Sequence, residues 1–174
     1  KLGRAGDAIK EYNIALRLKP DFPEALNNLA MAYDKQGRTA EAVEGYKIAL
    51  RLKPDFPEAL NNLGMAYDRL GLKDAAIEEL KAALDIKSDE ADVHYNLGTI
   101  YAKAGLLDAA QEHLSLAVRY KPDDVDFRYN LGAVYAKKGF KGDAIKEFKE
   151  VIRINPYDDE ARRLIKELSS GRVP

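Results

Sequence analysis

The sequence predicts an all-α fold, a solenoid of antiparallel helix pairs, and three observations support this prediction. The block IALRLKPDFPEALNNLAMAYD at residues 14–34 recurs at residues 48–68 with one difference, Ala30 against Gly64. The two blocks are 34 residues apart, a period that accommodates two short helices and two tight turns. Apolar residues have helical spacing within the period, and glycine and proline recur where the helices should end. Helix pairs of this kind bury their apolar faces by stacking on neighbouring copies.

Numbering each repeat from the residue after its turn divides the chain into repeat units. The unit at 1–22 is partial, with a second helix only, and we expect further repeats before it in the full protein because Lys1 falls in the middle of a repeat. Residues 159–170 are predicted to form a capping helix, followed by a tail at 171–174, because helical character persists there while the repeat pattern is lost. The complete units lie at 23–56, 57–90, 91–124 and 125–158.

Within each unit, recurring residues define two helices. Leucine at position 7 and tyrosine at position 11 lie four residues apart, which is the spacing of one helical face. Small residues at positions 8 and 20 allow the two helices to approach closely. Glycine at position 15 suits the left-handed turn that ends a first helix, and proline at position 32 stops the second. The predicted first helices are 23–36, 57–70, 91–104 and 125–138, and the second helices are 39–52, 73–86, 107–120 and 141–154.

Leucine, small residue, tyrosine, glycine, alanine, aromatic, alanine and proline at these spacings resemble the tetratricopeptide repeat family over nearly the whole chain. The resemblance implies a right-handed superhelical solenoid in which the first helices line a concave surface. It also implies that the chain is a protein-protein interaction module, with a protein or peptide as its partner.

Asparagine occupies position 6 of every complete repeat, on the predicted concave face: Asn28, Asn62, Asn96 and Asn130. A carboxamide both donates and accepts hydrogen bonds, so a row of them can pair with the backbone of an extended peptide. The row and the phrase LKPDFPEA resemble the repeat domain of O-GlcNAc transferases. In the alternative interpretation, each asparagine bonds locally to a neighbouring helix.

Neighbouring positions on the first helices are predicted to set the selectivity of the groove. Position 5 changes from Asn27 and Asn61 to Tyr95 and Tyr129, and position 9 changes from Met31 and Met65 to Thr99 and Ala133. The two halves of the groove should therefore prefer different ligand segments. Position 13 is basic throughout and forms one edge of the groove, with Lys35, Arg69, Lys103 and Lys137. Position 2 is acidic throughout, which suits either ligand contact or the dipole at a helix start.

The sequence carries no pattern for catalysis, a cofactor or a metal ion. His94 and His113 are the only histidines, cysteine is absent, and no third ligand completes a zinc site, so we expect the histidines to pack. No nucleophile, metalloprotease or phosphate-binding motif is present. We therefore expect that the chain is not an enzyme.

Charge and hydropathy limit the kinds of partner. The net charge is −1 and basic residues are interspersed with acidic ones, so nothing favours nucleic acid or an anionic membrane surface. No apolar run approaches the roughly 20 residues that span a bilayer. The sequence assigns no compartment.

The leading hypothesis is a module that binds a peptide segment in the groove lined by the first helices. One alternative is the substrate-recognition domain of a larger transferase. Another is a self-assembling scaffold that associates through uncovered repeat ends, because apolar residues of the N-terminal helix lack a first-helix partner. These residues are Ala8, Ile9, Tyr12, Ala15 and Leu16.

Overall fold

The computed structural model describes the backbone of residues 2–170 and the side chains of residues 6–170. All regular secondary structure in this range is α-helical. The predicted tail at 171–174 lies outside the described residues. The helices are α1 (Leu2–Leu18), α2 (Pro23–Lys35), α3 (Thr39–Leu52), α4 (Pro57–Arg69), α5 (Lys73–Ile86), α6 (Ala91–Lys103), α7 (Leu107–Tyr120), α8 (Val125–Lys137), α9 (Lys141–Ile154) and α10 (Asp159–Ser169).

The predicted helix boundaries are confirmed to within a residue from α2 to α9. Each first helix ends one residue before the predicted position, and the glycine of the following turn adopts a positive φ, as at Gly37 (φ 80°) and Gly139 (φ 81°). This conformation is open to glycine at little cost and reverses the chain toward the second helix. The prediction is wrong at Gly3, the position 15 glycine of the partial unit at 1–22, because α1 begins at Leu2 and Gly3 lies inside it rather than in a turn.

The chain divides into two compact units, residues 1–88 and 89–174. In the first unit α2 pairs with α3 and α4 with α5, while α1 packs on α2 and α3 on α4. In the second unit α6 pairs with α7 and α8 with α9, while α7 packs on α8 and α9 on α10. Within each unit the first helices of successive repeats also contact each other: α2 contacts α4, and α6 contacts α8.

In α3 and α9, the small and aromatic positions of the second helix are buried in the core. In α3, Ala42, Tyr46 and Ala49 are all 1% exposed or less, and in α9 Ala144, Phe148 and Val151 are equally buried. Because alanine leaves little space between the helix axes, the one large side chain of each second helix inserts between neighbouring helices.

The close approach of first and second helices depends on a small residue at position 8. A Cβ on Gly64 would lie 2.9 Å from Leu80 Cγ, and one on Gly132 would lie 2.9 Å from the ring of Phe148. The first complete repeat has Ala30 at this position, and there the opposing helix has Gly45, whose own added Cβ would lie 2.8 Å from Ala30 Cβ. In this repeat, therefore, the first helix carries the alanine, and the second helix carries the glycine that makes room for it.

The two terminal helices differ in how well they are covered. In α10, Ala161 and Leu168 are buried in the same cluster as Phe148 and Val151 of α9. In α1, by contrast, Ala8, Ile9, Tyr12, Ala15 and Leu16 are only half-buried. Among the described side chains of α1, the most exposed large apolar ones are Ile14 (51%) and Leu18 (84%), and neither was predicted to be exposed.

Candidate functional site

The residues predicted to bind a ligand lie on the first helices α2, α4, α6 and α8, and their exposure divides them into three groups. Asn27 is buried, with 1% of its surface exposed. The basic residues at position 13 are exposed: Lys35, Arg69, Lys103 and Lys137. The remaining ones are half-buried: Asn28, Asn61, Asn62, Asn96, Asn130, Tyr95, Tyr129, Met31 and Met65.

In the first unit, the asparagines of two successive repeats bond to each other. Asn62 Nδ2 donates to Asn27 Oδ1 at 3.0 Å, and Asn27 Nδ2 donates to Glu58 Oε1 at 3.3 Å. Both polar atoms of the Asn27 side chain are thus satisfied within the protein, as a buried carboxamide requires. From its buried position, Asn27 therefore fixes the side chains of Asn62 and Glu58 through hydrogen bonds.

The second unit has an equivalent contact with a different partner. Asn130 Nδ2 donates to the hydroxyl of Tyr95 at 3.1 Å and to the backbone carbonyl of Asp126 at 2.9 Å. The Tyr95 ring stacks on Phe127, with centroids 4.6 Å apart. Burial raises the pKa of Tyr95, and the negative charges of Asp126 and Asp124 add to this effect. Tyr95 therefore stays a neutral hydroxyl that fixes the orientation of Asn130.

In both units, the position 6 asparagine uses its amide nitrogen to bind position 5 of the preceding repeat. This is the local bonding that the alternative interpretation predicts for Asn62 and Asn130. Neither carboxamide oxygen accepts a hydrogen bond among the residues that the structure describes. The bonds to the amide nitrogens therefore orient the two carboxamide oxygens, which can each accept a hydrogen bond from a ligand.

Several residues of the charged edges are paired within the protein. Glu24 accepts from Lys53 at 2.8 Å and Asp92 accepts from Lys121 at 2.6 Å, each across one repeat. The hydrogen bond from Lys53 lowers the pKa of Glu24. Arg69 donates to Asp34 at 2.5 Å. Glu24 and Asp92, at position 2, thus link the starts of α2 and α6 to the C-terminal ends of α3 and α7.

A half-enclosed cavity of about 540 Å³ lies between α8 and α10 in the second unit. Tyr129, Ala133 and Lys137 of α8 form one wall, Phe148 of α9 is at the base, and Leu164 and Leu168 of α10 form the other wall. The Tyr129 and Phe148 rings meet edge to face, with centroids 5.4 Å apart. Burial raises the pKa of the Tyr129 hydroxyl, and the charges of Glu160 and Asp158 raise it further.

Sequence reasoning placed Tyr129 and Lys137 in the site but missed the residues of α10. Numbering the repeat past residue 158 would have found them, since Glu160 then falls at the acidic position 2 and Leu164 at the asparagine position 6. The loss of the repeat pattern concealed this correspondence. The cavity therefore continues the first-helix face at the step where asparagine is replaced by leucine.

The two histidines face each other across one helix pair. His94 of α6, 5% exposed, lies with Nδ1 3.0 Å from Nδ1 of His113 in α7, and their ring centroids are 5.3 Å apart. Their rings also stack with Tyr120 and Tyr101. Across residues 6–170, no three histidine, cysteine or acidic side chains are grouped to hold a metal ion.

None of the helices in the described part of the chain is both long and apolar enough to span a bilayer.

Comparison with known proteins identifies the repeats. The family model described as tetratricopeptide repeat matches residues 1–55, 30–91 and 95–159. A comparison with curated proteins by sequence found no significant match.

Solved structures share the fold. A crystal structure of MamA is similar with a TM-score of 0.79 and 29% identity, covering 91% of this chain and 92% of that one. TTC0263, a thermophilic protein of the same repeat type from Thermus thermophilus, has a TM-score of 0.74 and 27% identity, with 97% and 92% covered. YrrB, described as having an unusual peptide-binding site, has a TM-score of 0.75 at 23% identity, with 94% and 84% covered.

The family model covers most of the chain, and the fold is shared with the solved structures of MamA and of TTC0263, a protein of the same repeat type. The chain belongs to the tetratricopeptide repeat family and is a protein-protein interaction module.

Proposed function

We propose that the first-helix face binds an extended peptide segment of a partner protein, and that the position 6 asparagines accept hydrogen bonds from the peptide backbone. The observation that carries this proposal is the orientation of Asn62 and Asn130. Each amide nitrogen is held by the preceding repeat, at 3.0 Å and 3.1 Å, while the carboxamide oxygen accepts no hydrogen bond among the described residues. A half-buried acceptor of this kind suits a peptide N–H.

Asn27 and Tyr95 are positioning residues in this proposal, because their side chains fix the two asparagines from behind. The contact with backbone atoms gives affinity without regard to peptide sequence, and neighbouring side chains such as Tyr129 and Met65 give selectivity. Binding involves no bond making or breaking, so the proposed module is not an enzyme.

The test uses the full chain and a random twelve-residue peptide library displayed on phage. Selected peptides are synthesised with a fluorescent label, and their affinity is measured by polarisation. Asn62→Ala combined with Asn130→Ala should weaken binding about 10-fold or more, because each lost hydrogen bond is worth about 1 kcal/mol. Helicity measured by circular dichroism should stay the same.

Asn13→Ala is the matched control, since Asn13 is an exposed helical asparagine that donates to the carbonyl of Ile9 within α1. It should leave affinity within twofold. Equal affinity of the wild type and the double variant for every selected peptide would overturn the asparagine contact. A library that yields no binding peptide would overturn the peptide-binding function.

A second candidate, self-association, is favoured by the partial burial of α1. Ala8, Tyr12 and Ala15 are half-buried, whereas Ala42, Tyr46 and Ala49 at the same repeat positions of α3 are 1% exposed or less. A first helix of a second copy could cover this side. Sedimentation velocity over a 100-fold range of concentration tests it, and a constant monomer would contradict it.

A further inference from the structure

The residues at the step between α8 and α10 differ from those at the step between α2 and α4. Between α2 and α4, position 9 is Met31, and the bond from Asn62 to Asn27 crosses the step. Between α8 and α10, position 9 is Ala133 and position 6 is Leu164, and the walls of the cavity there are largely apolar. The cavity of about 540 Å³ thus lies at a step that lacks both the methionine and the asparagine.

The chemistry of the cavity indicates its occupant. Its base and walls are aromatic and aliphatic, from Phe148, Tyr129, Leu164 and Leu168. When a large apolar side chain of a ligand displaces water from an apolar cavity of this size, the buried apolar surface makes binding more favourable. The contact suits one anchor residue of a peptide that lies along the first-helix face.

The rim adds a charge preference. On one side, Glu160 is held by Arg163, whose Nε donates at 2.8 Å, and this bond lowers the pKa of Glu160. On the other side, Lys137 is exposed and forms no ion pair with any residue that the structure describes. The charge that remains unneutralised at the rim is positive, and it attracts a carboxylate.

We propose that this cavity binds a leucine-sized or aromatic side chain of the partner peptide, and that Lys137 pairs with an acidic side chain next to that anchor. The proposal rests on the proposed peptide-binding function and adds the chemistry of the ligand. Ala133 and Leu164 set the specificity for the apolar anchor, and Lys137 sets the preference for acid.

The probe is the amidated peptide acetyl-Gly-Glu-Leu-Leu-Glu-Gly-amide, titrated into the ¹⁵N-labelled full chain and followed by NMR. This method detects millimolar dissociation constants, which suit a single anchor residue. The amides of Ala133, Lys137 and Leu164 should shift. Replacing both leucines of the probe by alanine, or both glutamates by lysine, should weaken binding about 10-fold or more.

Three protein variants test the same contacts. Ala133→Met introduces the residue found at Met31 and Met65 and should fill the cavity, while Lys137→Glu reverses the charge of the rim. Each should weaken binding of the probe about 10-fold. Leu164→Asn tests the other wall and should have the same effect if Ala133→Met disturbs folding. Lys149→Glu is the matched control, because Lys149 is an exposed lysine of α9 that does not line the cavity, and it should leave affinity within twofold.

Unchanged affinity in Ala133→Met and Leu164→Asn, or equal affinity for the alanine probe, would overturn the cavity as the anchor site. A free C-terminal acid on the probe should not strengthen binding, and a strong preference for it would overturn the pairing of Lys137 with a side chain. The cavity proposal and the proposed function can fail separately. Library peptides that depend on Asn62 and Asn130 but are insensitive to Ala133→Met would leave peptide binding intact while refuting this cavity.

Discussion

Ala30 and Gly45 show how a contact between two small residues decides which side chains a helix pair accepts. A Cβ added to Gly45 would lie 2.8 Å from the Cβ of Ala30, closer than two such atoms can pack. In the other repeats position 8 is glycine, and position 23 is Glu79, His113 or Glu147. The two positions are therefore coupled.

We expect Gly45→Ala to destabilise the protein by about 1–3 kcal/mol, because overpacking a closed helix contact costs about this much. In a background with Ala30→Gly, the same substitution should cost nothing, or stabilise by up to about 1 kcal/mol through helix propensity. Urea denaturation of the wild type, both single variants and the double variant measures the coupling.

Gly142→Ala is a suitable control, because a Cβ there has no heavy atom within 4 Å and Gly142 also lies in a second helix. It should not destabilise. Additive effects at positions 30 and 45 would contradict the coupling.

At the scale of helices, the side chains at positions 4 and 23 contact each other in the third and fourth complete repeats, and the chemistry of the contact differs between the two. In the third complete repeat it is the histidine pair, and in the fourth it is an ion pair between Arg128 and Glu147, 2.7 Å apart and 13% and 12% exposed. In the histidine pair, one ring nitrogen donates and the other accepts across 3.0 Å.

In α5, position 23 is Glu79, and burial raises the pKa of its carboxyl group. The neighbouring charge of Glu78 raises this pKa further, while the charge of Lys47 lowers it. The folded state therefore binds the proton more tightly than the unfolded state, and Glu79 lowers stability as pH rises through its folded pKa. We expect Glu79→Gln to raise the free energy of unfolding at pH 7 and to have little effect at pH 3, as measured by urea denaturation. Glu11→Gln, at the same repeat position on the exposed side of α1, should change little at either pH.

For the molecule as a whole, periodicity predicted the helices well because every boundary is encoded locally. Proline begins α2 and α4, and glycine with positive φ follows each first helix from α2 to α8. Contacts between repeats were harder to predict. Asn27 and Asn28 are adjacent in the chain, and only packing shows that the first is buried against Asn62.

The cavity was the least predictable feature, because it arises from two absences in different helices. Ala133 lacks the bulk of methionine, and Leu164 lacks the amide of asparagine. Either change alone has many interpretations. Their combined effect depends on α10 taking the place of a first helix beside α8.

We expect local stability to be lowest at α1. Its half-buried Tyr12 and Ala15 bury less apolar surface than Tyr46 and Ala49 of α3, and in a repeat array each helix is stabilised by its immediate neighbours. Native-state hydrogen exchange should show amides of α1 exchanging about tenfold or more faster than those of α3. Equal protection in the two helices would indicate that α1 is covered, as by a second copy.

The coupling of Ala30 to Gly45 has a consequence for how such a chain can be inherited or rebuilt. The only difference between the two near-identical blocks, Ala30 against Gly64, lies opposite different second helices. A recombination event that joined α2 to α5 would place Ala30 against α5, whose Leu80 leaves no room for a Cβ at position 8 of the first helix. The smallest segment that can be shuffled between repeats is therefore a whole helix pair, and breakpoints should fall in the turns before α2, α4, α6 and α8.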